Sequence, residues 1–139
     1  MKKGISIHIG LNYVDPKRYD GWDGELVACE YDAKDMADLA KAQGFKPSLL
    51  LRSKATAKAV VTAIQKAAAV LKSGDTLFIS YSGHGGQVKD TNSDEGRYGD
   101  MKDRKDETWC LFDRELVDDE LAALWAGFKK GVRILVLAD

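Results

Sequence analysis

The feature that most constrains this chain is the stretch from Asp75 to Gly86, in which a short apolar run ends in a glycine-rich turn around a histidine. Residues 76–81 are rich in β-branched and aromatic side chains, which predicts a buried strand. The Ser-Gly-His-Gly-Gly that follows places His84 just beyond that strand, where glycines allow tight turns and close approach of a substrate. Because chemistry in open α/β sheets gathers at the carboxyl ends of strands, His84 is a candidate general acid or base. The alternative is an ordinary histidine in a flexible loop.

Strands and helices are predicted to alternate along the chain. Four strands are predicted from apolar runs and alternation, over residues 4–12, 48–51, 76–81 and 132–138, with a further strand-like run over 108–112. Three helices are predicted from apolar spacing, over residues 25–43, from a cap at Thr56 to Leu71, and from Asp118 to Gly131. This order predicts the α/β class, with an open, mostly parallel sheet and helices on both faces in three αβα layers. The 139 residues are predicted to form one domain.

Composition excludes several classes of function. A formal net charge of −1 without a basic stripe disfavours nucleic acid and anionic membranes as partners, and no apolar run approaches the length of a membrane span. The N-terminal Met-Lys-Lys faintly resembles a secretion signal, but Ser6 and His8 interrupt the apolar run, which favours a first strand. His8 itself is interpreted as a packed or hydrogen-bonded strand residue. The two cysteines, Cys29 and Cys110, fit reduced thiols and a cytoplasmic location.

The segment from Val88 to Asp106 is almost entirely charged or small, which predicts a long loop that is either functional or disordered. Because it borders His84, its basic residues are candidate sites of self-processing. The alternative is a solvated surface loop. These basic residues are Lys89, Arg97, Lys102, Arg104 and Lys105.

Five motifs in chain order resemble those of the metacaspases and their bacterial caspase-like relatives, which are cysteine proteases of the caspase clan. Residues 81–86 (Tyr-Ser-Gly-His-Gly-Gly) resemble the catalytic-histidine motif, and residues 26–33 (Leu-Val-Ala-Cys-Glu-Tyr-Asp-Ala) resemble the early helix motif. The other three are Asp106-Glu107-Thr108 with Asp113, the helix start at residues 117–121, and the strand of residues 133–139 that leads to the nucleophile in the family.

The resemblance implies a Cys–His dyad in which His84 and the adjacent Gly85 belong to the catalytic site. Such a dyad works because an imidazole beside a thiol raises the thiolate fraction and later protonates the leaving amine. The nucleophilic cysteine is expected just beyond Asp139, so these residues are expected to be the large-subunit-like part of the fold, inactive alone and a partner for the missing C-terminal part. Cys29 and Cys110 are interpreted as small buried hydrophobes.

The resemblance also places the pocket for the residue before the scissile bond at Cys29, Asp32, Ser82 and Asp139. Two carboxylates that converge at strand ends would select Arg or Lys in the substrate, whereas caspases proper select Asp. An alternative for Asp32 is a solvated carboxylate near the start of its helix, where negative charge is favourable.

Asp106, Asp118 and Asp119 match positions that bind calcium in many metacaspases. Calcium takes six to eight oxygen ligands, so these carboxylates would form only part of a site. The alternative is that Asp118 or Asp119 caps the third helix. No cofactor is expected to be required for the chemistry, and Ca²⁺ is expected as a candidate activator.

The sequence therefore predicts a metacaspase-type cysteine endopeptidase that cleaves after Arg or Lys. One alternative is an inactive caspase-like module that binds peptides or a partner chain. A second is a flavodoxin-like or receiver-like domain, which shares the sheet type and acidic clusters but does not account for the histidine motif. An exposed sheet edge is also expected where the later strands of the family would lie.

Overall fold

A computed structural model describes residues 3–89 and 105–139 of the chain. Its strands are β1 (Gly4–Gly10), β2 (Lys46–Leu51), β3 (Thr76–Ser82), β4 (Gly85–Lys89), β5 (Lys105–Cys110), β6 (Glu115–Val117) and β7 (Arg133–Ala138). Its helices are α1 (Cys29–Ala42), α2 (Ala57–Val70) and α3 (Asp118–Ala126). Strands β2-β1-β3-β7 form a parallel four-stranded sheet in that order. The predicted α/β class is confirmed.

The helix boundaries follow from local capping. The Thr56 hydroxyl accepts a hydrogen bond from the Ala59 amide at 3.1 Å, so Thr56 caps α2 as predicted. Gly44 adopts φ +91° and ends α1, also as predicted. The prediction that this helix begins at residue 25 is wrong by four residues. The Leu26 amide donates instead to the Asn12 carbonyl at 2.6 Å, which keeps residues 25–28 in the preceding loop.

The two faces of β1 carry different side chains and pack against different helices. Ile5 and Ile7 face α2, together with its Ala63 and Ala67. Alternate residues face α1, and a Cβ at Gly10 would lie 2.8 Å from the Ala33 Cβ. Helix α3 lies beside α2, where the two helices line a common crevice. The sheet is therefore the middle of three layers, as the sequence predicts.

The core lies mainly between the sheet and α2. Its largest fully buried side chains are aliphatic: Ile7, Ile9, Leu11, Ile64, Leu71, Leu77, Ile79, Leu111 and Leu116. Burial of each such side chain contributes roughly 1.5–3 kcal/mol. This packing fixes β1 and β3, whose carboxyl ends carry the candidate site. Among the described residues, no helix is both long and apolar enough to cross a bilayer.

A second sheet departs from the sequence prediction. Strands β4, β5 and β6 pair antiparallel, so Gly85 and Gly86 begin a strand rather than only a turn. A Cβ at Gly86 would collide with Glu115 Oε1 and lie 3.0 Å from Thr108 Oγ1, so close packing against β5 and β6 requires glycine there. The predicted loop over 88–106 is therefore wrong at both ends. Lys89 and Lys105 lie in β4 and β5, while Arg97, Lys102 and Arg104 lie outside the described residues.

Strand β7 forms one edge of the described parallel sheet. Leu135 and Leu137 on this strand are 57% and 50% exposed. Their register partners on β3 are Phe78 and Ser80. The described part of the chain thus has an open, apolar sheet edge beside the carboxyl end of β3.

Candidate active site

His84 lies two residues beyond the end of β3, and its ring is fixed by a backbone acceptor. The Nε2 atom lies 3.0 Å from the Gly24 carbonyl oxygen. Because a carbonyl can only accept, this contact requires a proton on Nε2, which leaves Nδ1 of the neutral ring as the acceptor. Nδ1 is therefore the ring nitrogen that does not contact Gly24 and that can accept a proton.

The backbone of His84 is held by Tyr81. The Tyr81 hydroxyl donates to the His84 carbonyl at 2.6 Å and lies 2.9 Å from the Cys110 carbonyl. The Cys110 amide also donates to the His84 carbonyl, at 3.0 Å. The Tyr81 ring stacks on Trp109 at 4.8 Å with an interplanar angle of 2°. These contacts join the end of the parallel sheet to the second sheet, with His84 at the junction.

Gly24 belongs to the loop that follows β1, and the sequence did not identify it as a site residue. The Val14 amide donates to the Asp23 carbonyl at 2.8 Å, which folds this loop back across the end of β1. Gly24 adopts φ +58°, and a Cβ there would lie 3.0 Å from His84 Cδ2. The role of Gly24 depends on its carbonyl and its backbone conformation, so a search for reactive side chains could not find it. The pair of glycines at 21 and 24 was the only sequence signal.

A cavity of about 340 Å³ opens between α1 and the ends of β3 and β7. Three of the four predicted substrate-binding residues, Asp32, Ser82 and Asp139, line it together. The Ser82 hydroxyl donates to Asp32 Oδ2 at 3.2 Å. The Asp139 amide donates to the Tyr81 carbonyl at 2.8 Å, which extends the β3–β7 pairing to the last residue. The remaining lining residues are Ala33, Asp35, Met36, Ser80, Tyr81 and Leu137.

The chemistry of this cavity is acidic. It is lined by three carboxyl groups, those of Asp32, Asp35 and Asp139, and by no basic side chain among the described residues. Apolar walls with a few polar groups are typical of small-molecule and side-chain binding sites. The cavity therefore suits a side chain with an apolar stem and a cationic head.

Cys29, the fourth predicted substrate-binding residue, is not among the residues that line this cavity. It is buried at the start of α1, where its carbonyl faces Gly10. Cys110 is buried as well, and burial raises the pKa of its thiol to about 11. A thiol of that pKa is almost entirely protonated at neutral pH, so Cys110 is a poor nucleophile. Gly85, the second predicted catalytic residue, begins β4 opposite Trp109.

The candidate calcium residues lie around the start of α3. Asp118 and Asp119 are the first two residues of the helix, and Val117 occupies the N-cap position. The alternative that Asp118 or Asp119 occupies the N-cap position is therefore wrong, although negative charge is favourable in the first turn of a helix. Asp106 lies on β5, two residues before Thr108, which pairs with Val117. Its side chain lies outside the described residues, and within the described part no group of three or more metal-binding side chains occurs. The calcium site stays a prediction.

His8, interpreted from the sequence as a hydrogen-bonded strand residue, is confirmed as one. Its Nδ1 and Nε2 atoms lie 2.8 Å from the hydroxyls of Ser80 and Ser6, respectively. The ring is fully buried, and burial lowers the pKa of the imidazole below its ordinary value. His8 is thus a neutral structural residue.

Fold and site together define a class of protein. The fold is an open α/β sheet with a histidine held by a backbone carbonyl at the carboxyl end of a strand, beside an acidic cavity, which is where such folds carry their sites. Comparison with known proteins specifies the family. Residues 2–139 match the family described as the metacaspase, peptidase C14 domain, and the chain belongs to the metacaspase family.

Individual relatives agree with this assignment. Metacaspase-1 of Mycosarcoma maydis is 32% identical over 135 residues, which cover 88% of this chain and 31% of that protein. Metacaspase-1A of Neurospora crassa is 37% identical over 97 residues, which cover 63% of this chain and 20% of that protein. A crystal structure of a protein from Geobacter sulfurreducens superposes with a TM-score of 0.89 at 55% identity, over 99% of this chain and 50% of that one. The chain thus spans about a third or less of these metacaspases.

Proposed function

We propose that this chain supplies the histidine and part of the specificity pocket of a cysteine endopeptidase that cleaves after Arg or Lys. The observation that supports the proposal most directly is the hydrogen bond between His84 Nε2 and the Gly24 carbonyl oxygen, which lie 3.0 Å apart. It leaves Nδ1 free to exchange a proton with a thiol. Membership of the metacaspase family supports a cysteine as the partner of this imidazole.

The proposed reaction assigns each proton step to His84. Nδ1 takes the proton of a cysteine thiol, proposed to lie just beyond Asp139, and the thiolate attacks the carbonyl carbon of the scissile bond. The imidazolium then gives its Nδ1 proton to the leaving amine nitrogen, and a thioester remains on the enzyme. In the second half, His84 takes a proton from water and the resulting hydroxide attacks the thioester carbonyl carbon. The carbon–sulfur bond breaks, the acid product leaves, and the thiolate takes the proton back from His84 Nδ1. The Gly24 carbonyl stabilises the positive ring in both halves because it accepts a hydrogen bond from the Nε2–H group.

The acidic cavity supports the proposed specificity. A guanidinium group donates up to five hydrogen bonds and pairs with carboxylates in a bidentate manner, which Asp32 and Asp139 can satisfy. The Ser82 hydroxyl orients Asp32 from the side, at 3.2 Å. A substrate carboxylate would instead meet three like charges. An Arg or Lys side chain before the scissile bond is therefore the proposed recognition element.

A second candidate is a peptide-binding module without catalysis. The specific observation in its favour is that both cysteines are buried, while the acidic cavity is already formed by these residues. Such a module would bind basic peptides without cleaving them. Turnover separates the two candidates.

We also propose that calcium activates the enzyme. The proposal is supported by the pairing of Thr108, two residues after Asp106, with Val117, which directly precedes Asp118 and Asp119, and by the preference of calcium for carboxylate oxygens. The measurement is peptidase activity with added calcium and with a chelator. Equal activity under both conditions would contradict this part of the proposal.

The decisive experiment compares fluorogenic peptides that carry Arg, Lys or Asp before the cleaved bond. It uses the chain extended past Asp139. We expect turnover of the Arg and Lys peptides only, and Asp32→Asn should lower kcat/KM for the Arg peptide at least tenfold. Asp38→Asn, an exposed carboxylate further along α1, is the matched control and should have no effect. Preference for Asp, or an unaffected Asp32→Asn variant, would overturn the proposed specificity.

A further inference from the structure

We propose that Trp22 is a positioning residue for His84. Its indole ring holds the plane of the imidazole so that Nε2 stays on the Gly24 carbonyl and Nδ1 stays turned toward the reacting thiol. The inference rests on the acid–base role proposed for His84. It adds a residue that neither the sequence motifs nor that mechanism uses.

The geometry of the pair carries the argument. The ring centroids of Trp22 and His84 are 4.9 Å apart, with an interplanar angle of 59°. The described hydrogen bonds of the His84 ring consist of the single contact from Nε2 to Gly24. One hydrogen bond fixes one point of the ring and leaves the ring free to swing about that point, because the torsion of an imidazole about Cβ–Cγ is broad. A second ring in van der Waals contact removes that freedom.

Gly24 shows how tightly the three groups are packed. A Cβ at this position would lie 2.9 Å from the Trp22 Cη2 atom and 3.0 Å from the His84 Cδ2 atom. A methyl group at this position would therefore press against both rings at once. Displacing the indole would open space on the side of the imidazole that borders the Gly24 carbonyl.

The loop before Trp22 is folded in a way that serves this contact. Asp20 adopts φ +53° and Gly21 adopts φ +90°, so two consecutive left-handed residues precede the tryptophan. A left-handed non-glycine residue is uncommon, and such strain is concentrated at functional sites. The Trp22 amide donates to the Tyr19 carbonyl at 3.0 Å, and the ring centroids of Trp22 and Tyr19 are 5.8 Å apart.

Tyr19 is in turn hydrogen-bonded to the turn that connects β5 and β6. Its hydroxyl donates to the Leu111 carbonyl at 2.7 Å. Trp22 nevertheless remains 44% exposed, so burial of apolar surface alone does not account for its placement. The loop holds the half-exposed indole of Trp22 against the ring of His84, and a positioning role toward His84 explains that arrangement.

The first test needs no peptidase activity. The chain contains two histidines, so ¹⁵N spectra of its imidazoles report two rings, and buried His8 serves as the internal reference. At pH 8 the His84 ring of the parent should show a single tautomer with the proton on Nε2. Trp22→Ala should give a mixture of tautomers at His84, with the signals of His8 unchanged. Trp22→Phe should restore the single tautomer because it keeps an aromatic ring in place.

A variant that replaces the indole by an aliphatic side chain distinguishes loss of the aromatic ring from local unfolding of the loop. Trp22→Leu keeps apolar bulk in the loop, and we expect it to give the mixture as well. Trp125→Ala on α3 removes the same type of ring from another part of the core and should leave the His84 tautomer unchanged. A single Nε2–H tautomer in Trp22→Leu or Trp22→Ala would overturn the proposal.

The second test applies to the extended chain. Trp22→Ala should lower kcat for an Arg peptide at least tenfold while KM changes less than twofold, and Trp22→Phe should recover most of that loss. An unchanged kcat, or a loss in KM alone, would contradict a positioning role. If the extended chain cleaves no peptide, the proposed function fails while the tautomer measurement still decides the role of Trp22.

Discussion

Removal of one hydroxyl group, in Tyr81→Phe, is predicted to weaken both the fold and the placement of His84. The hydroxyl donates to the His84 carbonyl at 2.6 Å and lies 2.9 Å from the Cys110 carbonyl. Burial raises the pKa of Tyr81 well above its ordinary value, so the donor persists at every accessible pH. The stacking on Trp109 survives in the variant, because Phe keeps the ring. The effect therefore isolates the hydrogen bond.

The magnitude follows from the loss of one donor shared by two carbonyls. A hydrogen bond contributes a net ~1 kcal/mol, and a buried acceptor left without it adds to that cost, which gives about 1–2 kcal/mol. With an unfolding entropy of roughly 2.1 cal/mol/K per residue, a chain of 139 residues should lose about 3–7 °C in Tm. Calorimetry measures the loss, and the ¹⁵N signals of the His84 ring report its environment.

Tyr19→Phe is the matched control. It also removes a hydroxyl that donates to a backbone carbonyl, that of Leu111 at 2.7 Å, and it keeps the ring that packs on Trp22. We expect a comparable loss of stability with unchanged His84 signals. Two results would contradict this prediction. One is a free energy of unfolding for Tyr81→Phe within about 0.3 kcal/mol of the parent, and the other is an equal shift of the His84 signals in both variants.

Three further outcomes are expected. Gly24→Ala should destabilise the chain by about 1–3 kcal/mol and displace the His84 ring, because its φ of +58° and its close contacts exclude a methyl group; thermal unfolding and ¹⁵N spectra measure both effects. Burial lowers the pKa of His8 below 6.5, so the unfolded chain binds a proton first, and the free energy of unfolding should fall as pH drops below about 6.5, by up to ~1.4 kcal/mol per pH unit. Chemical denaturation between pH 5 and 8 measures that slope, and His8→Gln should abolish it. Cys29 and Cys110 are buried, so iodoacetamide at pH 7.5 should label them only after unfolding; rapid labelling of the folded chain would contradict this.

The parallel sheet could be predicted from the sequence because its strands have strong local signals. The alternation of Ile5, Ile7 and Ile9 follows from the two-residue period of side chains in a strand, and the continuous apolar run of β3 follows from burial on both faces of the sheet. The Thr56 cap was likewise visible, since a hydroxyl before an apolar helix has a defined partner.

The second sheet could not be predicted in the same way. Its strands β4 and β5 contain glycine and charged residues, and they pair across a long, polar stretch of sequence. This sheet is stabilised by contacts between strands that no local sequence pattern reveals. One is the hydrogen bond that the Thr108 hydroxyl on β5 donates to Glu115 Oε1 on β6, at 2.7 Å.

Some residues of the candidate site could likewise be predicted from the sequence and others could not. His84 was predicted from the sequence because its residue type and its place after a buried strand indicate chemistry, whereas Asp32 and Ser82 were predicted only from the resemblance to the family. Gly24 was missed because it acts through a carbonyl, and Trp22 because an aromatic residue in a loop has no periodicity. Cys29 was also predicted from the resemblance; it does not line the described cavity, and its part in substrate binding stays a prediction.

The measurement that tests the central claim most directly is the effect of His84→Ala on cleavage of an Arg peptide by the chain extended past Asp139. His84 Nδ1 is assigned as the group that exchanges the proton with the thiol. The variant should therefore lose at least a thousandfold in kcat while KM for the Arg peptide stays within a few-fold, because the acidic cavity is untouched. Cleavage by His84→Ala at a rate close to that of the parent would contradict the account.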